Sequence, residues 1–540
     1  MRFGPNGADE NLRPNRCFRL SIVRRTKPVF VGAVEVLRKR RDNSFRKVLA
    51  IPMGTSFANP AEKSTNRLGL RAWMERVLLE CDRASAGFEA DPVHDLRVAL
   101  RRCRSLADGL MAMDPDPAWN DMKKAGKKLF QSLGDLRDMH VMQEWVEKLG
   151  DASDPVAVKL LNHIHAREAQ CKEQAFQSLQ QFDRKQWRQW SRSLPRRAAR
   201  VRLGSIVFKH LALEKWAAAY DLHKRALRTR SQTALHELRI GIKRFRYTVE
   251  NFLPQQHAAW GNDLKELQDL LGEVHDLDVL WATAVQVAAF PDIESRNRWR
   301  ERLTADRSRR VDRYRSKMLG KESLWRMWRA ELPSGPLLRS VAMARMRVWA
   351  GYLDPDFAHS QRVVRLALQL FDGLARAGLL GIGPHHDSRL ILEAAAMLHD
   401  VGRAKRDKGH QRDSFKLIRD MAVPAGWTPR EIGMAAAVAR FHRGALPRSR
   451  SKALQSLELP DRKVATQLSA VLRLANRLDF RNGTQPTLHV ETHNRVVTVH
   501  VPGYRALDRS AEEIAAARHL LETVLRRPVL VRAIRAPGSH

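Results

Sequence analysis

Apolar residues recur at steps of three and four between Leu68 and about Ser316, which is the spacing of an amphipathic α-helix. Proline, glycine and aspartate interrupt this pattern at 114–117, 150–155 and 253–254, where helices are expected to end. Runs of β-branched residues are few in this stretch. The pattern therefore predicts a series of helices joined by short connections.

The pattern changes after residues 333–336, whose sequence Pro-Ser-Gly-Pro predicts a linker. Helical spacing returns from Leu353 to about Leu478. Alternating apolar residues and a further helical stretch then predict a small α/β cap, made of a β-hairpin with strands at 488–492 and 496–501, a helix at 510–525 and a strand at 529–534.

A basic segment occurs twice in the first helical region. His94-Asp95-Leu96-Arg97-Val98-Ala99-Leu100-Arg101-Arg102-Cys103-Arg104 recurs as His236-Glu237-Leu238-Arg239-Ile240-Gly241-Ile242-Lys243-Arg244-Phe245-Arg246. In both copies a histidine and three cations stand at i, i+3, i+7 and i+10, along one face of a helix. We call these faces the first and second stripes. The apolar residues on another face are predicted to be core, namely Leu96, Leu100, Cys103, Leu238, Ile242 and Phe245.

A second motif repeats downstream of each stripe. Residues 132–141 have their counterpart at 270–279, so that Asp138 and Asp276 take equivalent places. Two such units predict duplicated helical bundles whose stripes face a shared cleft. Asp95, Glu237, Asp138 and Asp276 either orient the arginines or cap and pair helices, and both roles stay open.

The charge of the chain favours a polyanionic partner. The 540 residues include 96 Lys and Arg against 59 Asp and Glu, a formal net charge of +37. The four cysteines form no Cys-x-x-Cys pair, which argues against a disulfide framework and favours a reducing cytoplasm. No apolar run approaches the length of a membrane helix, so no membrane partner is expected. Residues 1–52 are interpreted as a disordered basic arm or as a leader before a start at Met53.

The paired motifs resemble those of the CHAD family, the conserved-histidine α-helical domains that bind inorganic polyphosphate. The match covers residues 67 to about 316. This resemblance implies two antiparallel four-helix bundles related by a pseudo-twofold axis, with a basic channel between them. The residues implied to bind polyphosphate are His94, Arg97, Arg101, Arg102, Arg104, His236, Arg239, Lys243, Arg244 and Arg246.

The chemistry of the stripes agrees with this resemblance. Arginine forks and lysine ammonium groups at helical spacing can each meet the oxygens of a flexible phosphate chain. At an effective dielectric constant of about 20, a contact of about 4 Å contributes roughly 4 kcal/mol before desolvation. A solvated helix face is the ordinary explanation of a charge run, but its repetition in both halves favours binding.

Histidine and aspartate cluster after the linker. His359 opens a helical run, the pair His399-Asp400 closes another, and Asp479 follows a third. This order resembles the H…HD…D ligand set of the HD superfamily, which implies a metal-dependent phosphohydrolase module. The resemblance implies one divalent ion, Mn, Mg, Fe or Zn, held by His359, His399, Asp400 and Asp479.

More narrowly, segments 398–402, 438–447 and 472–479 look like the C-terminal half of the exopolyphosphatase and pppGpp-phosphatase family, over about 339–540. The resemblance does not include the actin-like catalytic domains of that family, so exopolyphosphatase activity is not transferred. The family often carries two histidines after the His-Asp pair, whereas residues 409–414 here read Gly-His-Gln-Arg-Asp-Ser, so one ion is expected. The predicted catalytic residues are Asp400, His410 and His442, the histidines for phosphate contact or general acid catalysis.

We therefore expect a mainly α protein with a basic arm at 1–66, CHAD repeats at 67–200 and 205–325, an HD domain at 339–482 and an α/β cap at 483–540. The expected function is polyphosphate binding, at granules in the cytoplasm, with a module that acts on polyphosphate or phosphorylated nucleotides. A granule scaffold without activity and a nucleic-acid-binding protein are the alternatives. The stripes lack interleaved aromatic residues, so nucleic acid is expected to bind only non-specifically. Homodimer formation stays open.

Overall fold

A computed structural model describes residues 69–534 except 152, 381–386 and 481–486. The predicted basic arm lies outside the described residues. The first part of the chain contains α1 (Leu70–Ala84), α2 (Ala90–Leu110), α3 (Pro117–Ala125), α4 (Lys127–Leu149), α5 (Pro155–Gln180), α6 (Arg184–Ala198), α7 (Ile206–Thr229), α8 (Gln232–Phe252), α9 (Pro254–Gln286), α10 (Ile293–Met318) and α11 (Leu324–Ala330).

The second part contains α12 (Leu337–Leu353), α13 (Phe357–Arg376), α14 (Asp387–Leu398), the 3₁₀ helix η1 (Val401–Ala404), α15 (His410–Arg419), α16 (Pro429–Arg440), α17 (Lys452–Gln455), α18 (Leu459–Arg477), β1 (His489–His493), β2 (Val496–Val501), α19 (Arg509–Leu525) and β3 (Val529–Ala533). The mainly α fold with a small α/β cap is confirmed. Among the described residues, we find no helix with the length and apolarity needed to cross a bilayer.

Helices begin where the sequence offers proline and a polar cap. Pro117, Pro155 and Pro254 each occupy the first turn of a helix, where their missing N–H costs nothing. Asp116 and Asp154 accept hydrogen bonds from backbone N–H groups of the helices that follow them. The helix breaks predicted at 114–117, 150–155 and 253–254 are therefore confirmed.

Eight of the helices given above for the first part form two sets of four. In the first set α1 packs on α2, α2 on α4 and α4 on α5, and in the second set α7 packs on α8, α8 on α9 and α9 on α10. The sets meet where α2 contacts α8 and α4 contacts α9. The two stripe helices are thus neighbours.

The apolar residues of the two basic segments lie in one large core. Leu96, Leu100, Cys103, Leu238, Ile242 and Phe245 are all fully buried, which confirms the predicted core faces. The same core includes Trp325 and Trp328 of α11, and the ring of Trp328 lies 5.4 Å from that of Phe245. A second core extends from α12 to β3.

The cap is a sheet with the strand order β1-β2-β3. Strand β1 is antiparallel to β2, and β2 is parallel to β3. The hairpin turns through Asn494 and Arg495, whose positive φ angles of 45° and 66° give the two-residue turn that matches strand twist. Val497, Val499 and Val501 alternate inward, as predicted from the period of two.

Helix α12 joins the two parts. Arg345 is 7% exposed and its Nη1 lies 2.6 Å from Glu214 of α7. His210 Nε2, also on α7, donates to the carbonyl oxygen of Ala425 at 2.8 Å. Tyr352 donates its hydroxyl to the carbonyl oxygen of Arg197 at 2.7 Å. Buried polar contacts therefore fix the second part against α7 and the end of α6.

Candidate functional site

The two stripes form one electrostatic unit in the cleft between α2 and α8. Desolvation, together with the nearby Arg239, Arg101 and Arg97, lowers the pKa of Lys243 to about 7. Arg97 and Arg101 belong to the first stripe, whereas Arg239 and Lys243 belong to the second. Cations from both repeats therefore surround a single ammonium group, which is the shared cleft that the sequence predicted.

Carboxylates of the second repeated motif lie beside these cations. Burial raises the pKa of Asp276 to about 6, although Arg239 and Lys243 act in the opposite direction. Desolvation also raises the pKa of Asp138, opposed by Arg97 and by Arg239 of the other repeat. The two aspartates reduce the repulsion among the cations, and the cleft keeps a surplus of positive charge.

Helices α3 and α4 orient Arg97 and Arg104. The Arg97 guanidinium lies 5.1 Å from the Phe130 ring centre and donates to the Phe130 carbonyl oxygen at 3.4 Å. Arg104 lies 5.3 Å from the same ring and donates to the carbonyl oxygen of Lys123 at 2.9 Å. A Cβ at Gly134 would stand 2.6 Å from Arg97 Nη1, so glycine in this motif makes room for the guanidinium.

Arg102 and Arg246 have a different environment. Arg102 pairs with Glu250 of α8 and lies 5.5 Å from the ring centre of Trp73. Arg246 Nε lies 3.7 Å from the same carboxylate. Glu250 thus connects the two stripe helices and neutralises part of the charge of both arginines. Their predicted contact with polyphosphate stays a prediction, but their position also gives them a structural role.

The remaining residues of the two basic segments differ in their exposure. His94 and Arg244 are exposed. Desolvation and the nearby Arg137 lower the pKa of His94, which leaves it neutral near pH 7. His236 Nδ1 lies 3.3 Å from His275 Nδ1. Arg239 Nε is buried and has no hydrogen-bond partner in the described part of the chain, as expected of a donor that awaits an anion.

Three histidines and one aspartate converge in the second part of the molecule. His399 and Asp400 follow α14, His410 begins α15, and His442 follows α16. Their Nε2 atoms lie 3.5, 3.0 and 3.6 Å from Asp400 Oδ1, in the order His399, His410, His442. All four residues are at most 6% exposed. A buried carboxylate oxygen therefore stands among three imidazoles.

The ring nitrogens of these histidines are fixed by the backbone. Nδ1 of His399, His410 and His442 lies 2.7 Å from the carbonyl oxygen three residues earlier. Because a carbonyl oxygen only accepts, Nδ1 carries a proton in each ring, and Nε2 is the nitrogen that faces Asp400. This tautomer is the one that metal-binding histidines use.

The cluster could hold a cation. His410 Nε2 and His442 Nε2 lie 3.2 Å apart, so that two lone pairs face each other if both rings are neutral. His399 Nε2 is buried and has no hydrogen-bond partner among the described residues. Burial lowers the pKa of both His399 and His442, which disfavours protonation. A divalent metal ion fits these donors better than added protons.

The ligand atoms divide into two groups that share one residue. Within the described residues, atoms of His359, His399 and Asp400 lie within 4.8 Å of one another, and so do atoms of Asp400, His410 and His442. The neighbouring imidazoles outweigh the effect of burial and hold the pKa of Asp400 well below its usual range. Asp400 is therefore an anionic residue common to both groups.

Asp479 contacts His359 but lies outside both groups. Its Oδ2 lies 2.6 Å from His359 Nδ1, and Arg362 donates to both of its oxygens at 2.7 and 2.8 Å. His359 Nε2 donates to Asn476 Oδ1 at 2.9 Å. Of the four predicted metal ligands, the structure thus brings His359, His399 and Asp400 together and pairs Asp479 with Arg362.

Several residues of this site were not identified from the sequence. Ser414 Oγ donates to the His399 carbonyl oxygen at 2.7 Å and accepts from Gly402 N at 2.9 Å, which fixes η1 against α15. A Cβ at Gly402 would stand 2.2 Å from the His410 carbonyl oxygen. Arg362 and Asn476 stand three residues from predicted ligands, a spacing that could have identified them.

Comparison with known proteins agrees with this geometry. Residues 70–285 match the family model of the CHAD domain. The match extends from α1 to α9. Residues 349–501 match the model of Ppx/GppA phosphatase domain III, so this chain carries a CHAD domain followed by a Ppx/GppA domain III. The resemblances to the CHAD family and to the C-terminal half of the exopolyphosphatase and pppGpp-phosphatase family are confirmed.

One similar solved structure is the crystal structure of the CHAD domain from the plant Ricinus communis. It has 20% sequence identity and a TM-score of 0.33, and the alignment covers 51% of this chain and 98% of that chain. No curated protein matches the chain.

Proposed function

We propose that the chain binds inorganic polyphosphate in the cleft between α2 and α8. The observation that supports this most directly is the set of cations from both repeats around Lys243. These cations repel one another, and a bound anion would reduce that repulsion. The buried, unpaired Nε of Arg239 adds a donor for a phosphate oxygen. Arg97 and Arg104 are already held in place by Phe130, so less conformational entropy is lost on binding.

Charge reversal tests the cleft. The double variant Arg101→Glu with Lys243→Glu should weaken binding of long-chain polyphosphate by at least a hundredfold, because both changes put anions beside the ligand. The double variant Arg38→Glu with Arg40→Glu has the same net charge and lies outside the stripes, so it should lose far less. Equal losses from the two would show that net charge alone governs binding. Equal competition by duplex DNA at physiological salt would contradict a specific polyphosphate cleft.

We further propose that the C-terminal module is a metal-dependent phosphohydrolase. His359, His399 and Asp400 would hold one divalent ion. Asp479 would take part indirectly, because it contacts His359. Such an ion would polarise a phosphoryl oxygen and activate water for attack on phosphorus. The chain itself contributes the imidazole nitrogens, the anionic Asp400 and the exclusion of bulk water from a buried centre.

The geometry also supports a second ion, where the sequence suggested one. Asp400, His410 and His442 offer two imidazole nitrogens and a carboxylate oxygen, a donor set that suits Mn, Fe or Zn better than Mg. If only one ion binds, His410 and His442 instead face the substrate phosphate. Metal analysis after reconstitution decides this. We expect two ions per chain, one in His442→Ala and none in Asp400→Ala; wild-type protein without metal would refute the proposal.

Activity is tested by a metal-supplemented screen of polyphosphate, nucleotides and pppGpp. Phosphate release that disappears in His399→Ala would support hydrolysis, because His399 belongs to the first donor group. A chain that binds polyphosphate and metal but releases no phosphate from any of these substrates would favour the scaffold function.

A further inference from the structure

Strand β1 carries metal-binding residue types on the outer face of the C-terminal sheet. The strand reads His-Val-Glu-Thr-His from residue 489 to residue 493. Because side chains alternate along a strand, His489, Glu491 and His493 project from the same face. All three are exposed, whereas Val490 packs against the second core. Every outward position of β1 therefore offers an imidazole or a carboxylate.

The neighbouring strand adds a third histidine to this face. The register pairs His500 of β2 directly with His489. Val499 and Val501, on either side of His500, are buried, so His500 faces outward. The Cβ atoms of such a cross-strand pair are about 4.5–5.5 Å apart, which lets two imidazoles reach one ion. We call His489, Glu491, His493 and His500 the sheet-face cluster.

The carboxylate of this cluster contacts two of its imidazoles. Glu491 Oε2 lies 3.2 Å from His500 Nε2, and Glu491 Oε1 lies 3.5 Å from His489 Nε2. The two ring centres are 6.5 Å apart. The carboxylate thus stands between the rings, and an ion would enter after small rotations of these side chains. Such rotations meet little resistance, because the side chains of His489 and Glu491 are each 59% exposed.

We propose that the sheet-face cluster binds one divalent transition-metal ion through His489, His500 and Glu491. Two imidazole nitrogens and a carboxylate oxygen suit Zn²⁺, Cu²⁺ or Ni²⁺. His493 stands two residues from Glu491 on the same face and can supply a fourth ligand; water otherwise takes that position. A surface ion pair needs one histidine, whereas this carboxylate contacts two and has a third on its own strand. The site shares no residue with the buried centre around Asp400.

The test is equilibrium titration of the full chain with Zn²⁺, measured by calorimetry. The chain is first loaded with metal and desalted, because a buried ion stays bound whereas an exposed ion exchanges and is removed. The ion counts expected for the buried centre are therefore unchanged. The titration should show one additional site of micromolar affinity, and His489→Gln with His500→Gln should weaken that site at least tenfold, since both imidazole ligands are lost.

Two further variants make the test specific. His163→Gln with His165→Gln removes two exposed histidines of α5 and should leave the affinity unchanged. Arg532→Gln should give a change of opposite sign. Arg532 stands opposite His500 on β3 and is exposed. Removing its positive charge should strengthen Zn²⁺ binding, a gain that misfolding would not produce.

Four results would overturn the proposal. The loaded wild type could take up no further Zn²⁺, or His489→Gln with His500→Gln could bind as the wild type does. Equal weakening by His163→Gln with His165→Gln would show that scattered surface histidines hold the metal. Unchanged or weaker binding in Arg532→Gln would place the ion away from this face. Thermal melting of each variant checks folding, and neither polyphosphate binding nor hydrolysis enters the measurement.

Discussion

Lys243 should make polyphosphate binding depend on pH. In the free protein its pKa is lowered to about 7, because desolvation and the nearby Arg239, Arg101 and Arg97 disfavour the charged ammonium. A bound phosphate chain removes this repulsion and favours the charged form. The complex therefore holds a proton that the free protein has lost between about pH 7 and pH 10, so affinity must fall as the pH rises through this window.

The size of the effect follows from the two pKa values. If binding restores Lys243 to the ordinary lysine value of about 10.4, the association constant should fall about 70-fold between about pH 7.5 and pH 9.5. Near pH 8.5 each binding event should take up about one proton. Long chains are the proper ligand, because most of their phosphates keep a constant charge over this range.

Calorimetry in buffers of different ionisation enthalpy measures both the affinity and the protons taken up. Lys243→Arg is the matched control, since an arginine keeps its charge throughout the range. It should bind with little dependence on pH and without proton uptake. If Lys243→Arg shows the same pH dependence as the wild type, the proton does not belong to Lys243 and the reasoning is wrong.

Two further predictions use glycines with matched controls. Gly134→Ala should weaken polyphosphate binding with little change in melting temperature, because the added Cβ would lie 2.6 Å from Arg97 Nη1 and push the guanidinium away. The control is Gly272→Ala at the equivalent place of the second repeat, which has nothing within 4 Å and should bind normally. Equal binding by both variants would contradict a role of Gly134 in placing Arg97. Gly402→Ala should destabilise the fold by about 3 kcal/mol, because its Cβ would stand 2.2 Å from the His410 carbonyl oxygen. Gly433→Ala, with its nearest neighbour at 3.5 Å, should melt like the wild type, and a wild-type melting curve for Gly402→Ala would show that η1 can move away from α15.

The local pattern of the sequence was sufficient to predict the helices, the strands and their buried faces. Steps of three and four placed Leu96, Leu100 and Phe245 in the core, and the period of two placed the cap strands. Prolines identified where helices begin. Repetition of the basic segment also indicated that the stripes share a cleft. These features depend on residues a few positions apart, which is the range over which a sequence pattern fixes side-chain direction.

The partners of the polar groups were decided only by the tertiary structure. Arg102 stands on the predicted basic segment, yet it pairs with Glu250, which is 148 residues away. His442, which follows α16, lies 3.6 Å from Asp400, which follows α14. Asp479 contacts both Arg362 and His359. A long polar side chain can satisfy its hydrogen bonds with any partner within reach. The packing of helices distant in the chain determines which partner is present, and it also sets the local dielectric that lowers the pKa of Lys243.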